Sequence, residues 1–155
     1  MKTLLVVFHS RGAKTATMAE AVERGARRAL EEMDEVALVV KRASEAGPED
    51  VLAADALILG TPENFGYMSG LMKDFLERVF YPCEGRIEGR PWALFVGAGQ
   101  DGRGAVSSVE RIVTGLRLRR RHEPIVALGE LTPELVARCE EMGATFAAGL
   151  AAGVL

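Results

Sequence analysis

The chain has 155 residues, 48% of them hydrophobic, with 19 basic and 22 acidic side chains and a formal net charge of −3. That length suits one domain with a sizeable core rather than two ordinary domains, and the expected unit is 1–155. The apolar share, with a mean hydropathy of +0.10, excludes a disordered tail, and the weak charge gives no support to wholesale nucleic-acid binding.

Short apolar runs alternate with longer segments of helical spacing. The runs are Leu4 to Phe8, Val36 to Val40, Ala56 to Leu59, Trp92 to Val96 and Ile125 to Leu128. Their near-continuous apolar character predicts strands covered on both faces. Between the first two, Thr15 to Glu32 carries Met18, Val22, Ala26, Ala29 and Leu30 along one stripe. Pro48 to Ala53 predicts a brief helix. Leu71, Met72, Phe75, Leu76 and Val79 form the next stripe, then Val109, Ile112, Val113 and Leu116, then Leu135, Cys139, Met142 and Phe146. Ser69 and the Thr132-Pro133-Glu134 start supply helix caps. The alternation predicts a three-layer, doubly wound α/β fold on a five-stranded parallel sheet.

In such sheets ligands sit beyond the carboxyl ends of the strands, and three loops of unusual composition leave those ends. His9 to Thr17 offers hydroxyls, a glycine and free amides where a helix starts. Its two readings are an anion site and a well-capped helix. It is neither a Walker A loop nor GxGxxG. Gly60 to Gly70, eleven residues long, carries two aromatic rings and a side-chain amide. It reads either as the cradle of a flat ring system or as an ordered surface loop. Gly97 to Gly104 has four glycines in eight residues, which suits backbone approach to a ligand or a flexible turn. Parallel strands bring all three loops to one edge, where a phosphate site and a ring site share a cleft.

Ser10-Arg11-Gly12-Ala13-Lys14-Thr15, and Gly60-Thr61-Pro62-Glu63-Asn64-Phe65-Gly66-Tyr67-Met68-Ser69-Gly70 continuing into Met72-Lys73-Asp74-Phe75-Leu76-Glu77-Arg78, resemble the flavodoxin-like family. The likeness is to its small FMN-dependent reductases and NAD(P)H:quinone-oxidoreductase-like members, and it spans nearly the whole chain. It implies strand order 2-1-3-4-5 and FMN as cofactor. By the same resemblance, Ser10, Arg11, Gly12, Ala13, Lys14 and Thr15 receive the phosphate. Thr61, Pro62, Glu63, Asn64, Phe65, Gly66 and Tyr67 line one part of the isoalloxazine, and Gly97, Ala98, Gly99 and Gly102 the opposite part. Gly12-Ala13 stands where members usually have Thr-Gly. One hydroxyl is absent, and Gly12 is expected to supply the left-handed freedom of the missing glycine.

The implied activity is transfer of reducing equivalents from NADH or NADPH through FMN to a quinone or other small acceptor. The alternatives are an electron carrier that does not itself oxidise NAD(P)H, and a non-enzymatic flavin-binding or regulatory protein. No catalytic residue is singled out, because the flavin carries the redox chemistry. No metal site is expected: His9 and His122 lie far apart in sequence, and Cys83 and Cys139 have no ligand spacing. Arg117 to Arg121 precedes the last predicted strand, at the edge opposite the cleft, and reads as a solvated patch or a subunit contact. The apolar segment Phe146 to Leu155 covers the sheet or joins an interface, and a homodimer or homotetramer is left open. The run Leu4 to Phe8 is too short for a signal peptide, and Phe146 to Leu155 too short to span a bilayer. The expectation is therefore a soluble cytoplasmic protein with no membrane insertion.

Overall fold

The computed structural model describes residues 1–155. In chain order its elements are β1 (Lys2–Phe8), α1 (Ala13–Ala29), β2 (Val36–Arg42), α2 (Pro48–Ala53), β3 (Ala56–Asn64) and β4 (Tyr67–Met68). There follow α3 (Gly70–Cys83), β5 (Pro91–Ala98), α4 (Arg103–Gly115), β6 (Arg119–Arg120), β7 (Ile125–Leu128) and α5 (Pro133–Ala152). The parallel sheet runs β2-β1-β3-β5, and β6 and β7 pair in succession along the far side of β5. Counting β6 and β7 as one interrupted strand, this is the order 2-1-3-4-5.

The period of two in β1 explains the three layers. Leu5 and Val7 pack beneath α2, α3 and α4, in one core with Val51, Phe75 and Val109. Leu4 and Val6 point the other way, toward α1 and α5, in a second core with Met18, Met142 and Phe146. β5, between β3 and the β6–β7 edge, is buried along its whole length. Phe146, Ala147 and Leu150 of the apolar final segment are buried in the second core, so this part of it covers the sheet. The helices α1 and α5 touch backbone to backbone. A Cβ on Gly25 would collide with the Glu140 carbonyl, and one on Gly143 with that of Val22.

Two elements differ from the sequence reading. β3 does not stop at Leu59: Gly60, Thr61 and Pro62 stay in register with Phe95, Val96 and Gly97 of β5. Gly60 interrupts the apolar run because the Phe95 ring occupies the space of its missing side chain. The expected eleven-residue loop is thus a strand extension and a hairpin to β4. Second, the arginine run, which precedes Ile125–Leu128 as expected, contains a two-residue strand, β6, that the sequence reading did not include. Arg119 and Arg120 pair with Pro91 and Trp92, at the end of β5 away from its carboxyl edge.

Candidate functional site

The first strand-end loop is anchored where His9 N–H donates to the Gly60 carbonyl at 3.0 Å. Gly12 then precedes α1 in extended conformation, with φ −132° and ψ −164°. Ala13 opens the helix, and no residue of the loop takes a positive φ. The expected left-handed freedom is therefore not used here, and an alanine at 13 costs nothing. α1 has no side-chain cap and no acid in its first turn. Every other helix start has a side-chain acceptor: Asp50 on Gly47 N–H, Ser69 on Met72 N–H, Asp101 on Arg103 N–H and Thr132 on Leu135 N–H. The free amides of α1 are left for an outside acceptor.

Two residues of this loop face inward. Lys14 Nζ donates to the carbonyls of Ala98 (2.8 Å) and Ala127 (3.2 Å), tying α1 to the carboxyl ends of β5 and β7. Thr15 is buried, with its hydroxyl oxygen in the space a Cβ on Gly97 would need. Ser10, Arg11, Gly12 and Ala13 form the outward part of the loop.

The hairpin turns at Phe65 and Gly66, both left-handed (φ 54° and 66°), between the paired Asn64 and Tyr67. Two positive φ values in a two-residue turn match the right-handed twist of the flanking strands. Thr61 is fully buried. Its hydroxyl donates to the Pro62 carbonyl (2.8 Å) and accepts from Ser69 N–H (3.0 Å). Ser108 of α4 accepts from Met68 N–H at 3.1 Å. These hydroxyls hold the hairpin to its own base and to α4.

Glu63 joins the second loop to the third. Its side chain is buried, and Oε1 accepts from Gly99 N–H (3.1 Å) and Gln100 N–H (2.6 Å) while Oε2 accepts from Gly102 N–H (3.0 Å). Clustered backbone N–H groups make an anion-binding concavity, and here the anion is the protein's own carboxylate. Gly102 is left-handed (φ 75°), and Gly104 lies so close to the Gly66 carbonyl that a Cβ there would collide with it. Gly97, Gly102 and Gly104 are therefore closely packed against neighbours, while Gly99 has open space beside it. Asn64, Phe65, Gly66, Tyr67 and Gly99 lie at its solvent-facing side, whereas Thr61, Gly97, Ala98 and Gly102 are buried beneath it.

The motif reading missed Arg42, the last residue of β2. Its guanidinium carbon lies 5.1 Å from the centre of the Phe8 ring, and Nη1 is 3.5 Å from Ser10 Oγ. Only the β1–β2 register, which pairs Phe8 with Arg42, places it there. His9 has its pKa pushed below the ordinary 6.5 by burial first, then by the charges of Arg42 and Arg11. The thiols of Cys83 and Cys139 are buried, and burial raises both, Cys139 to about 11. They offer no reactive thiolate at neutral pH. No helix is long and apolar enough to cross a membrane.

This arrangement fits FMN on observations of the chain itself. Uncapped amides, the Ser10 hydroxyl and two guanidiniums suit a phosphate. The exposed Phe65 ring and the open space over Gly99 suit a flat ring beside it.

Comparisons with known proteins agree. Residues 40–130 match the family described as NADPH-dependent FMN reductase. A flavodoxin of Aquifex aeolicus (strain VF5) is 39% identical over 116 residues, which are 75% of this chain and 60% of that protein. An NAD(P)H dehydrogenase (quinone) of Acidithiobacillus ferrooxidans is 35% identical, covering 62% of this chain and 56% of its own. The chain thus spans somewhat over half the length of these curated relatives. Among solved structures, an archaeal flavodoxin superposes with a TM-score of 0.80 at 18% identity, covering 96% of this chain and 98% of its own. A WrbA-like flavodoxin protein of Agrobacterium tumefaciens superposes at 0.78 and 20%, covering all of both chains. With this fold and this match over more than half its length, the chain belongs to the NADPH-dependent FMN reductase family, a flavodoxin-like family of FMN-binding oxidoreductases.

Proposed function

We propose that this protein binds FMN across the three joined loops and passes reducing equivalents from NADH or NADPH to a quinone or another small acceptor. The observation that carries the reading is the Glu63 clamp, which holds the hairpin and the glycine loop as one rigid rim on the same sheet edge as the uncapped start of α1. When bound, FMN supplies the hydride and electron chemistry. Amides at the start of α1 and the Ser10 hydroxyl hold the phosphate. Backbone of the Pro62–Gly66 segment borders the ring, and its amides stabilise negative charge on the ring's edge. Lys14 and Thr15 act from below, fixing α1 against β5. No side chain is assigned a proton transfer. A small acceptor would bind beside the bound flavin, in a pocket completed by these few loops or by a second subunit in a homodimer or homotetramer.

The electron-carrier reading is favoured by one observation, the Aquifex relative that bears the name flavodoxin. Two measurements separate the readings. Titration of the purified chain with FMN is expected to show saturable binding at micromolar concentration, and absence of binding overturns both. Anaerobic addition of NADH and of NADPH to the FMN-loaded protein is expected to bleach the flavin rapidly. A flavin that stays oxidised leaves the carrier.

A further inference from the structure

Arg42 closes the outermost strand of the sheet, where a terminal charge is ordinarily a solvated edge residue. Its surroundings are more specific than that. Ala43 N–H donates to the Phe8 carbonyl at 2.8 Å, so β2 stays paired to β1 up to the point where the first loop departs. The guanidinium then lies over the Phe8 ring and against the Ser10 hydroxyl. The preceding residue, Lys41, is neutralised by Asp50 at 2.8 Å, whereas neither Arg42 nor Arg11 forms an ion pair. Both guanidiniums act on the same imidazole, that of His9. Two unneutralised cations thus converge on a short loop that also presents the free amides of a helix start. Like charges gathered this way repel, and an anion among them removes the cost.

We propose that Arg42 is the charge partner of the flavin phosphate, a phosphomonoester dianion, and that it replaces from the neighbouring strand the hydroxyl missing at Gly12. The proposal rests on the FMN reading above. A guanidinium offers a planar fork of donors matched to phosphate oxygens. Stacking on Phe8 restricts the fork before the ligand arrives, so less freedom is lost on binding.

The test uses the full chain and two ligands that differ only in the phosphate, FMN and riboflavin, each titrated by flavin fluorescence. Arg42→Ala and Arg42→Gln are compared with wild type and with Arg121→Ala, a cation on the opposite edge; circular dichroism checks the fold of each. Both Arg42 variants are expected to weaken FMN roughly 10- to 100-fold, the worth of a charge-assisted hydrogen bond. Riboflavin affinity is expected to stay at the wild-type value, and Arg42→Lys is expected to restore part of the FMN loss. An equal loss for both flavins assigns Arg42 a structural role and overturns the proposal, as does an unchanged FMN affinity. Wild-type protein that binds no FMN overturns the FMN reading as well. Wild-type binding with an FMN-to-riboflavin ratio insensitive to Arg42 overturns this proposal alone.

Discussion

Phe65 combines two properties that stability alone does not select. It is a bulky residue at positive φ (54°), and its side chain is fully exposed, with a relative accessibility of 103%. The left-handed conformation costs about 1–2 kcal/mol for a residue with a Cβ, and no burial offsets it. Such strain persists where a function holds it, and here the ring stands at the proposed flavin cleft. Phe65→Asn creates the favoured Asn-Gly turn, so urea denaturation of the apoprotein is expected to show a gain of about 0.5–1 kcal/mol. FMN affinity is expected to fall in the same variant, and a gain in both sinks the functional account of the ring. His9 makes a second prediction. Its folded pKa is depressed below 6.5, so the unfolded chain takes up the proton more readily. The stability it contributes is full above 6.5 and is lost as pH falls through the folded value. Arg42→Ala removes one cause, so the His9 ring titration followed by NMR is expected to move up toward 6.5, and the pH dependence of stability to shrink.

At the scale of elements, the hairpin and the β5–α4 loop form one unit. Glu63→Gln keeps a single carbonyl oxygen and sets an amide NH2 against a backbone N–H. Urea denaturation is expected to show a loss of about 1–3 kcal/mol, the cost of leaving buried donors unpaired. Faster hydrogen exchange is expected at Gly99, Gln100 and Gly102, and unchanged protection there refutes the clamp. Most elements were legible in the sequence. β7 and α2 have the expected bounds, and the capping Ser69 and Thr132 sit at the expected starts of α3 and α5. The carboxyl half of β3 was not legible, because Gly60 and Pro62 read as breakers. They remain in the strand because β5 continues beside them and Phe95 fills the space over Gly60. The arginine run lies at the expected edge, but its two strand residues were not legible, for a related reason. Exposed charges carry no period-two signal, and only pairing with Pro91 and Trp92 makes Arg119 and Arg120 a strand.

For the molecule as a whole, the site is a property of the sheet's carboxyl edge. Contacts from β1 to β3 (His9 to Gly60), from α1 to β5 (Lys14 to Ala98) and from β3 to the β5–α4 loop (Glu63) make that edge one connected surface. A ligand seated across it binds the folded chain and not the unfolded one. FMN at a hundred times its dissociation constant is therefore expected to stabilise the protein by about 2.7 kcal/mol, read as a shift of the urea midpoint. Riboflavin at an equal concentration is expected to give a smaller shift, and no shift with FMN contradicts binding at this edge. The sequence by itself determined what is local in origin: the alternation of strands and helices, the helix starts, and the three loops that carry polar and glycine residues. The tertiary structure decided which of those residues face outward. Lys14, Thr15, Thr61 and Glu63 look like ligand groups in a motif, yet their polar atoms meet partners or closely packed residues distant in the chain. Arg42 looks like a strand-end charge and is brought beside Ser10 in the first strand-end loop by register. Periodicity and capping act over a few residues, whereas the partner of an amide or a guanidinium is fixed only when the strands are laid side by side.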